Sequence, residues 1–370
     1  MMNNNYFNGG LLLSVFMLLF SIPSNSQLNM PRGSQQAKVL QTIGITDISI
    51  SYSRPSVRER EIWGNLVPYG MNNLGFGTAQ ESPWRAGADE NTVIEFTDDV
   101  SIEGEPLAKG NYGLHMVIME DNTAEIIFSK DYEAWGSYFY DPAQDALRVK
   151  VNTNEIPHTE ELTYVFSEIK PTSSKISLLW GEKEIPFTVE VNVTAIVMDD
   201  LKKKLQNSPG FTRQSWERAA NFALNNGGDL ETAEAWIDAA IEGQFFSQKT
   251  FNNLSIKSRI LEKQGNLAEA NATMDEALGM ATVLETHAYG RQLIAQGKKE
   301  KALEIFKMNA KNHKGQWPVD YGLARGYSAN NDYSKALKHL AIAQERAPDQ
   351  INKDAIVRNM ALLQEGKDIN

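Results

Sequence analysis

The stretch NYGLHMVIMEDNTAEIIFS, residues 111–129, decides the fold of the first half of the chain. Apolar and polar side chains alternate on both sides of Glu-Asp-Asn, which is the pattern of two strands that each bury one face. Asp and Asn favour tight turns, so the pattern predicts an antiparallel hairpin. Because successive side chains of a strand point to opposite faces, His115 shares one face with Val117, while Leu114 and Met116 share the other.

The period of two extends over most of the chain between Ala37 and Val193. Further strand-like runs are KVLQTIG, ITDISISYS, TVIEF, VSIEG, ALRVKV, ELTYVFSEI, SKISLLWGE and IPFTVEVNV. No helical pattern long enough for a βαβ crossover interrupts them. The sequence therefore predicts an antiparallel β-sandwich over residues 36–194, built from roughly nine or ten short strands.

The pattern changes after Val193, and helical spacing with an internal repeat follows. Four segments share a turn, a small residue and, four positions later, a larger apolar residue; the small residues are Ala233, Ala270, Ala302 and Ala336. These alanines are separated by 37, 32 and 34 residues. Small residues let paired helices approach closely. With Gly290 and Tyr327 at its preferred positions, this region resembles the tetratricopeptide repeat.

The predicted fold class is therefore a two-domain α+β chain, a β-sandwich followed by an α-helical tetratricopeptide-like solenoid. Residues 195–211 are expected to form a linker. Residues 212–366 are expected to form the repeats, with KDAIVRNMALLQEG as a capping helix. Such an array has a concave surface, which predicts a protein partner; the alternative is that the repeated alanines serve packing alone.

The N-terminus carries a targeting signal. GLLLSVFMLLFSI, residues 10–22, is an apolar run of signal-peptide length, followed by Pro23 and small residues. We expect a signal peptide over residues 1–26 and an exported, periplasmic or extracellular protein; an uncleaved anchor is the alternative. The chain has no cysteine, which excludes a lipoprotein anchor, a disulfide and a catalytic thiol. Its net charge of −11 argues against a nucleic-acid partner.

Arginine and aromatic residues recur in three loop-like stretches of the β half. SYSRPSVREREIWGNLVPYG spans residues 51–70, SPWRAGADENTVIEF spans 82–96, and DYEAWGSYFYD spans 131–141. Arginine grips carboxylates or phosphates, and aromatic faces stack on sugars and other planar groups. The candidate ligand-binding residues are Arg54, Arg58, Trp63, Trp84, Arg85, Tyr112, His115, Trp135 and Tyr138.

These motifs, in order with LAKGNYGLHM and LRVKV, resemble the bacterial family catalogued as domain of unknown function 2911. The resemblance covers roughly residues 36–193. It implies a β-sandwich and an exported protein of Bacteroidetes-type bacteria, and it implies no activity. One departure is the stretch MNNLGFGTAQESP, residues 71–83, which separates VPYG from WR.

Three functions stay open for the arginine and tryptophan residues. They form a pocket for a polar or glycan-like ligand or for a protein surface, or they act as a structural clasp, each arginine saturated by Glu61, Asp89 or backbone carbonyls. The third alternative is an envelope hydrolase for carbohydrate or peptide. Arg54 and Arg85 would then orient the substrate, with His115 or an acid as proton carrier. The sequence contains no pattern typical of a zinc, calcium or nucleotide site, and no cofactor or metal is predicted.

Overall fold

The computed structural model describes residues 31–243 and 245–370. The signal peptide expected over residues 1–26 lies outside these residues. In the part that is described, no helix combines the length and apolar character needed to cross a membrane.

The first part of the chain consists of antiparallel strands. Those within the described residues are β1 (Gln35–Ile43), β2 (Thr46–Arg54), β3 (Val93–Phe96), β4 (Val100–Ile102), β5 (Glu105–Leu107), β6 (Gly110–Ile118), β7 (Thr123–Ser129), β8 (Asp145–Asn152), β9 (Asn154–Lys170) and β10 (Ser173–Glu190). They form two open sheets, in the orders β1-β2-β3-β6-β7-β8 and β5-β4-β10-β9. The hairpin predicted from residues 111–129 is β6–β7, with Met116 opposite Ile126.

One hydrophobic core joins the two sheets. Leu114 and Met116 of β6 are fully buried in it, as are Ile176 and Leu178 of β10. The rings of Phe128 in β7 and Phe187 in β10 meet edge to face at 5.9 Å across the core. Each sheet thus buries one face against the other, which follows from the alternation in the sequence.

β10 differs from the expected pattern of short strands. SKISLLWGE and IPFTVEVNV belong to one strand of 18 residues, where the sequence suggested two. The pairing with β9 shifts register on both sides of Gly181, which has φ +58°. A glycine bulge therefore bends the strand without ending it. β5 is a further strand that the sequence pattern did not reveal.

The second part of the chain is helical. The helices within the described residues are α1 (Val193–Leu205), α2 (Arg213–Asn225), α3 (Leu230–Glu242), α4 (Phe251–Gln264), α5 (Leu267–Met280), α6 (Val283–Ala295), α7 (Lys299–Asn312), α8 (Trp317–Ala329), α9 (Tyr333–Arg346) and α10 (Gln350–Gln364). Consecutive helices from α2 to α9 pair as four hairpins, and α10 packs against α9. The predicted order, antiparallel sheets followed by tetratricopeptide-like helices, is confirmed.

Close packing explains the repeated small residues. Ala233, Ala302 and Ala336 are completely buried. Phe306 is also completely buried, and a Cβ added at Gly290 would lie 2.6 Å from its ring. The larger residue of the repeat therefore fills the space that glycine and alanine leave between helices.

Residues 193–205, most of which the sequence assigned to a linker, form the helix α1. The side chain of Asn192 caps this helix by accepting from the backbone N–H of Ala195 at 3.2 Å. Val193 and Ile196 pack against the β core, whereas Met198 and Leu205 belong to the core of the helical part. The apolar residues of α1 thus face both cores, which favours an ordered connection.

Candidate functional site

Arg54 ties the 51–70 stretch to the second sheet, and Arg60 holds the same stretch in its own turn. Arg54 donates to the carbonyl of Leu162 at 2.9 Å and to the hydroxyl of Thr163 at 2.6 Å, both in β9. Arg60 donates to the carbonyls of Val57, at 3.0 Å, and Ser56, at 2.6 Å. Their hydrogen bonds go to backbone carbonyls and a hydroxyl, the arrangement expected of a clasp.

Arg58 is placed differently from its neighbours. It is exposed, and its guanidinium makes one long hydrogen bond, 3.4 Å, to the carbonyl of Gly33. It lines a cavity of about 350 Å³ together with Arg60, Leu66, Trp84 and Trp180. This cavity combines guanidinium groups with indole faces, as the sequence suggested.

Three tryptophans form a cluster beside this cavity. The rings of Trp84 and Trp180 stack at 5.8 Å, and Trp63 meets Trp84 edge to face at 5.8 Å. Trp63 and Trp84 are partly buried and pack against the β core. Trp84 also donates from Nε1 to the carbonyl of Gly87 at 3.2 Å. The cluster contributes to the core, and Trp84 and Trp180 also line the cavity.

Arg85 does not line the cavity of Arg58 and Trp84, and its guanidinium lies among residues of the 131–141 stretch. Its Nη1 donates to the carbonyl of Asp89, and its guanidinium lies 4.9 Å from the ring centre of Tyr138. Gly136 has no room for a side chain, because a Cβ there would be 2.2 Å from Cζ of Arg85. Arg85 therefore holds its own turn and the 131–141 loop together.

His115 is buried beneath the same loop. Its Nδ1 is 3.0 Å from Oγ of Ser137, and the side chains of both residues are almost completely enclosed. Burial, with the positive charge of Arg85 nearby, lowers the pKa of His115 to about 4. His115 is therefore neutral at pH 7, and its Nδ1 forms a hydrogen bond with the hydroxyl of Ser137. The sequence analysis missed Ser137, because a contact between a strand and a distant loop has no local pattern.

The 71–83 stretch contacts the 131–141 loop above His115. The backbone N–H groups of Thr78 and Ala79 donate to the carbonyl of Tyr138 at 3.1 and 3.2 Å. Ser82 donates from Oγ to the carbonyl of Ser137 at 2.8 Å. The stretch therefore fixes the loop that encloses His115.

The two remaining candidates lie apart from His115. Tyr112 lies on the other face of β6, where it is buried against Phe96 and Phe128 and donates to the carbonyl of Ala108 at 2.8 Å. Burial, together with the charge of Asp99, raises its pKa. Trp135 is 53% exposed. Eight of the nine candidates are thus divided among the core, two clasps and one cavity, Trp135 lies at the surface, and the nine do not line one cleft.

The helical part contains a second cavity, and its lining includes none of the nine candidate residues. It has a volume of about 410 Å³ and lies over α4, with α2 and α6 as its walls. Its polar lining includes Gln214, Arg218, Asn252, Ser255, Arg259 and Gln292. Phe251, Ile256 and Tyr289 add apolar surface. These residues come from the first helix of three successive hairpins, which present one continuous face.

The two carboxylates that line this cavity already accept hydrogen bonds or form an ion pair, so side-chain donors predominate among the groups that remain for a ligand. The carboxylate of Glu217 accepts from Arg213, Asn252 and Asn253, and that of Glu285 caps α6 through Thr282. The exposed guanidinium of Arg218 makes no hydrogen bond or ion pair with any residue that the structure describes. Among the residues described, the guanidinium of Arg259 donates only to neutral amide oxygens, those of Asn221 at 3.4 Å and Asn225 at 2.6 Å. An acceptor-rich ligand is therefore the best electrostatic match.

A repeated spacing could have revealed this site. Arg259, Arg291 and Arg325 are 32 and 34 residues apart, the same separations as Ala270, Ala302 and Ala336. They therefore occupy equivalent positions in α4, α6 and α8.

Comparisons with known proteins give 12 matching chains of solved structure, two of which are described here, and one family. The C-terminal part of a TPR repeat-containing protein from Cytophaga hutchinsonii has a TM-score of 0.32 and 18% identity, covering 46% of this chain and 65%, less than two thirds, of that one. YrrB, described as a TPR protein with an unusual peptide-binding site, has a TM-score of 0.28 and 16% identity, covering 45% of this chain and 84% of that one. No curated protein matches the chain. Residues 34–189 match the family described as a protein of unknown function, DUF2911, which confirms the resemblance seen in the ordered motifs.

Proposed function

We propose that this protein is an exported binding protein whose helical repeats hold an extended segment of a protein partner in the cavity over α4. The observation that carries the proposal is the guanidinium of Arg218, which has no partner among the described residues and lines, with Arg259, a cavity of about 410 Å³. Both carboxylates of the lining are already engaged, so the donors are available to backbone carbonyls and to amide or carboxylate side chains. The apolar surface of Ile256 and Tyr289 suits an aliphatic side chain between such acceptors.

A photo-cross-linker placed at Ser255 in the full chain tests this proposal. Ser255 lines the cavity and is only partly buried. We expect the cross-linked partner, once purified, to lose most of its affinity for Arg259→Ala and for Ser255→Trp, which fills the cavity. Lys311→Ala is the matched control, since Lys311 is an exposed cation on α7, outside the cavity lining. A partner that binds all three variants equally would disprove the proposal.

A second candidate function is supported by the 350 Å³ cavity of the β part. The exposed guanidinium of Arg58 and the indole of Trp84 line it, which suits a small polar or glycan-like ligand. We propose this as an accompanying binding site, on residues 36–194. Arg58→Ala should abolish capture on a glycan array, and capture that Arg58→Ala leaves unchanged would rule the site out.

The hydrolase alternative has less support. Arg54 and Arg85 donate to groups of the protein itself, and His115 is only 2% exposed. A substrate would have to displace the loop that Arg85 and Ser82 fix before it could reach His115. We therefore favour binding over catalysis.

Export and domain division are part of the proposal. Residues 1–26 would direct secretion, residues 36–194 would form one domain and residues 212–366 the other. Sequencing the N-terminus of the protein recovered from the cell envelope tests the first point. A mature chain that still begins at Met1 would favour the uncleaved anchor.

A further inference from the structure

The lining of the 350 Å³ cavity in the β part carries positive charge without a matching negative charge. It includes the guanidinium groups of Arg58 and Arg60, and no aspartate or glutamate. Nη1 of Arg60 makes no hydrogen bond with any residue that the structure describes, and the guanidinium of Arg58 makes only its long one to Gly33. In a chain of net charge −11, this local surplus of cations favours an anionic ligand.

The carboxylates around Arg58 leave its guanidinium unpaired. Oε1 of Glu160 accepts from the backbone N–H of Arg58 at 2.9 Å, and its Oε2 pairs with His158 at 3.1 Å. Glu59 and Glu61 are neighbours in the sequence, but neither lines the cavity. Among the described residues the guanidinium of Arg58 therefore has no ion pair, and it is available to the carboxylate of a ligand.

The wall of the cavity also contains a buried donor without an acceptor. Trp180 lines the cavity and is only 1% exposed, and its Nε1 has no hydrogen-bond partner in the part of the chain that the structure describes. The indole N–H of Trp84, by contrast, donates to the carbonyl of Gly87. A buried N–H without an acceptor is costly, so a ligand oxygen that accepts from Trp180 would be bound more tightly.

Two hydroxyls and an apolar surface complete the lining. Ser34 and Ser56 line the cavity, and their side-chain hydroxyls make no hydrogen bond with any described residue. A hydroxyl both donates and accepts, as the hydroxyls of a sugar do. Trp84 and Pro55 add apolar surface on which the C–H face of a sugar ring can pack. The cavity lies near the small end of the range of ligand pockets, about 300–1,000 Å³, which suits a single ring.

We propose that this cavity binds a hexuronic acid residue and selects it over the corresponding neutral sugar. The guanidinium of Arg58 and Nη1 of Arg60 donate to the carboxylate, and the N–H of Trp180 donates to an oxygen of the sugar. The hydroxyls of Ser34 and Ser56 exchange hydrogen bonds with those of the ring. This inference rests on the second proposed function, a binding site in the β part, and it adds the charge and the class of the ligand.

A matched pair of sugars tests this selection on the full chain. Methyl β-glucuronide carries a carboxylate where methyl β-glucoside carries a hydroxymethyl group. Their affinities are measured by ligand-observed NMR at millimolar sugar and low ionic strength. The glucuronide should bind about tenfold more tightly, because hydrogen bonds to a charged group are stronger than those between neutral groups. Benzoate, a flat carboxylate without hydroxyls, should bind more weakly than the glucuronide.

Three variants connect the selection with the residues of the cavity. Arg58→Gln should remove most of the advantage of the glucuronide and leave the affinity for the glucoside nearly unchanged. Lys150→Gln is the matched control, since Lys150 is an exposed cation of β8 that does not line the cavity. Trp180→Phe keeps an aromatic ring but loses the N–H, so it should weaken both sugars. Its melting temperature shows whether the core is preserved, and the Arg58→Gln result does not depend on it.

The outcomes separate this inference from the function on which it rests. Equal affinities of the two sugars, an advantage that Arg58→Gln leaves unchanged, or benzoate that binds as tightly as the glucuronide would overturn the inference. If neither sugar binds, or both bind equally, while capture on the glycan array still depends on Arg58, the second proposed function stands and this inference fails. If neither sugar binds and Arg58→Ala leaves the array unchanged, both fail.

Discussion

Gly136 lies directly against the guanidinium of Arg85. A Cβ at Gly136 would be 2.2 Å from Cζ of Arg85, and the glycine has φ +63°, a conformation that other residues adopt at a cost. Arg85 in turn bonds the carbonyl of Asp89 and covers the ring of Tyr138. The missing side chain at residue 136 thus makes room for the arginine that joins the two loops.

Gly136→Ala should therefore destabilise the β part by about 1–3 kcal/mol, through backbone strain and a clash. Gly75→Ala is the matched control, because Gly75 has φ +68° and open space around it. Urea denaturation measures the free energy of unfolding of both variants. Backbone strain lowers it in both, so the additional loss in Gly136→Ala reports the clash with Arg85. Equal losses in the two variants would mean that Arg85 moves aside at no cost.

Arg85→Ala should lower the stability of the β part by about 1–3 kcal/mol, because it removes a hydrogen bond and a cation–π contact. Arg58→Ala, which removes an exposed guanidinium with one long hydrogen bond, should stay within about 0.5 kcal/mol. Thermal melts of both variants check this. A ligand lost by Arg85→Ala with an unchanged melting temperature would instead support a binding role for Arg85.

The sequence predicts most elements because burial of one face leaves a local period. The alternation around His115 correctly predicted which residues of β6 share its face of the strand. The repeated alanines correctly predicted the pairs of helices. Helix α1 was not predicted, because its start depends on the cap by Asn192. In addition, its apolar residues are divided between two cores and therefore do not form one apolar stripe.

The candidate site was harder to predict, because it depends on which distant side chains meet. Arginines beside tryptophans indicate either a pocket or a clasp, and only the partners distinguish them. Arg54 and Arg85 are engaged by carbonyls, whereas Arg58 faces a cavity. The donor-rich cavity over α4 involves Arg218 and Arg259, which local sequence shows as ordinary charged residues of amphipathic helices.

Stability should fall as the pH is lowered from 7.5 to 5. Burial lowers the pKa of His115 to about 4 from an ordinary value of 6.5, so between these pH values the unfolded chain binds a proton that the folded chain does not. The free energy of unfolding therefore increases with pH, by up to about 1.4 kcal/mol per pH unit for this histidine. Burial lowers the pKa of His287 in the same way, to about 4, in the helical part.

Urea denaturation at several pH values measures this dependence. His115→Gln keeps a polar side chain beside Ser137 and removes the titrating group, so the β part should lose most of its pH dependence in this range. The helical part should keep its own, since His287 is untouched. A β part that depends on pH equally in the variant and the original chain would show that another group is responsible.

Gly290→Ala should destabilise the helical part although alanine is the better helix former. A Cβ at Gly290 would lie 2.6 Å from the ring of Phe306, which is completely buried and also lies close to Gly322 and Gly326. Overpacking of this kind costs about 1–3 kcal/mol. Gly279→Ala, near the end of α5 with nothing within 4 Å, should instead stabilise by up to about 1 kcal/mol. Thermal melts followed by circular dichroism at 222 nm compare the two. Opposite signs are expected, and a stabilising Gly290→Ala would mean that α6 and α7 are not held at the close distance that Phe306 requires.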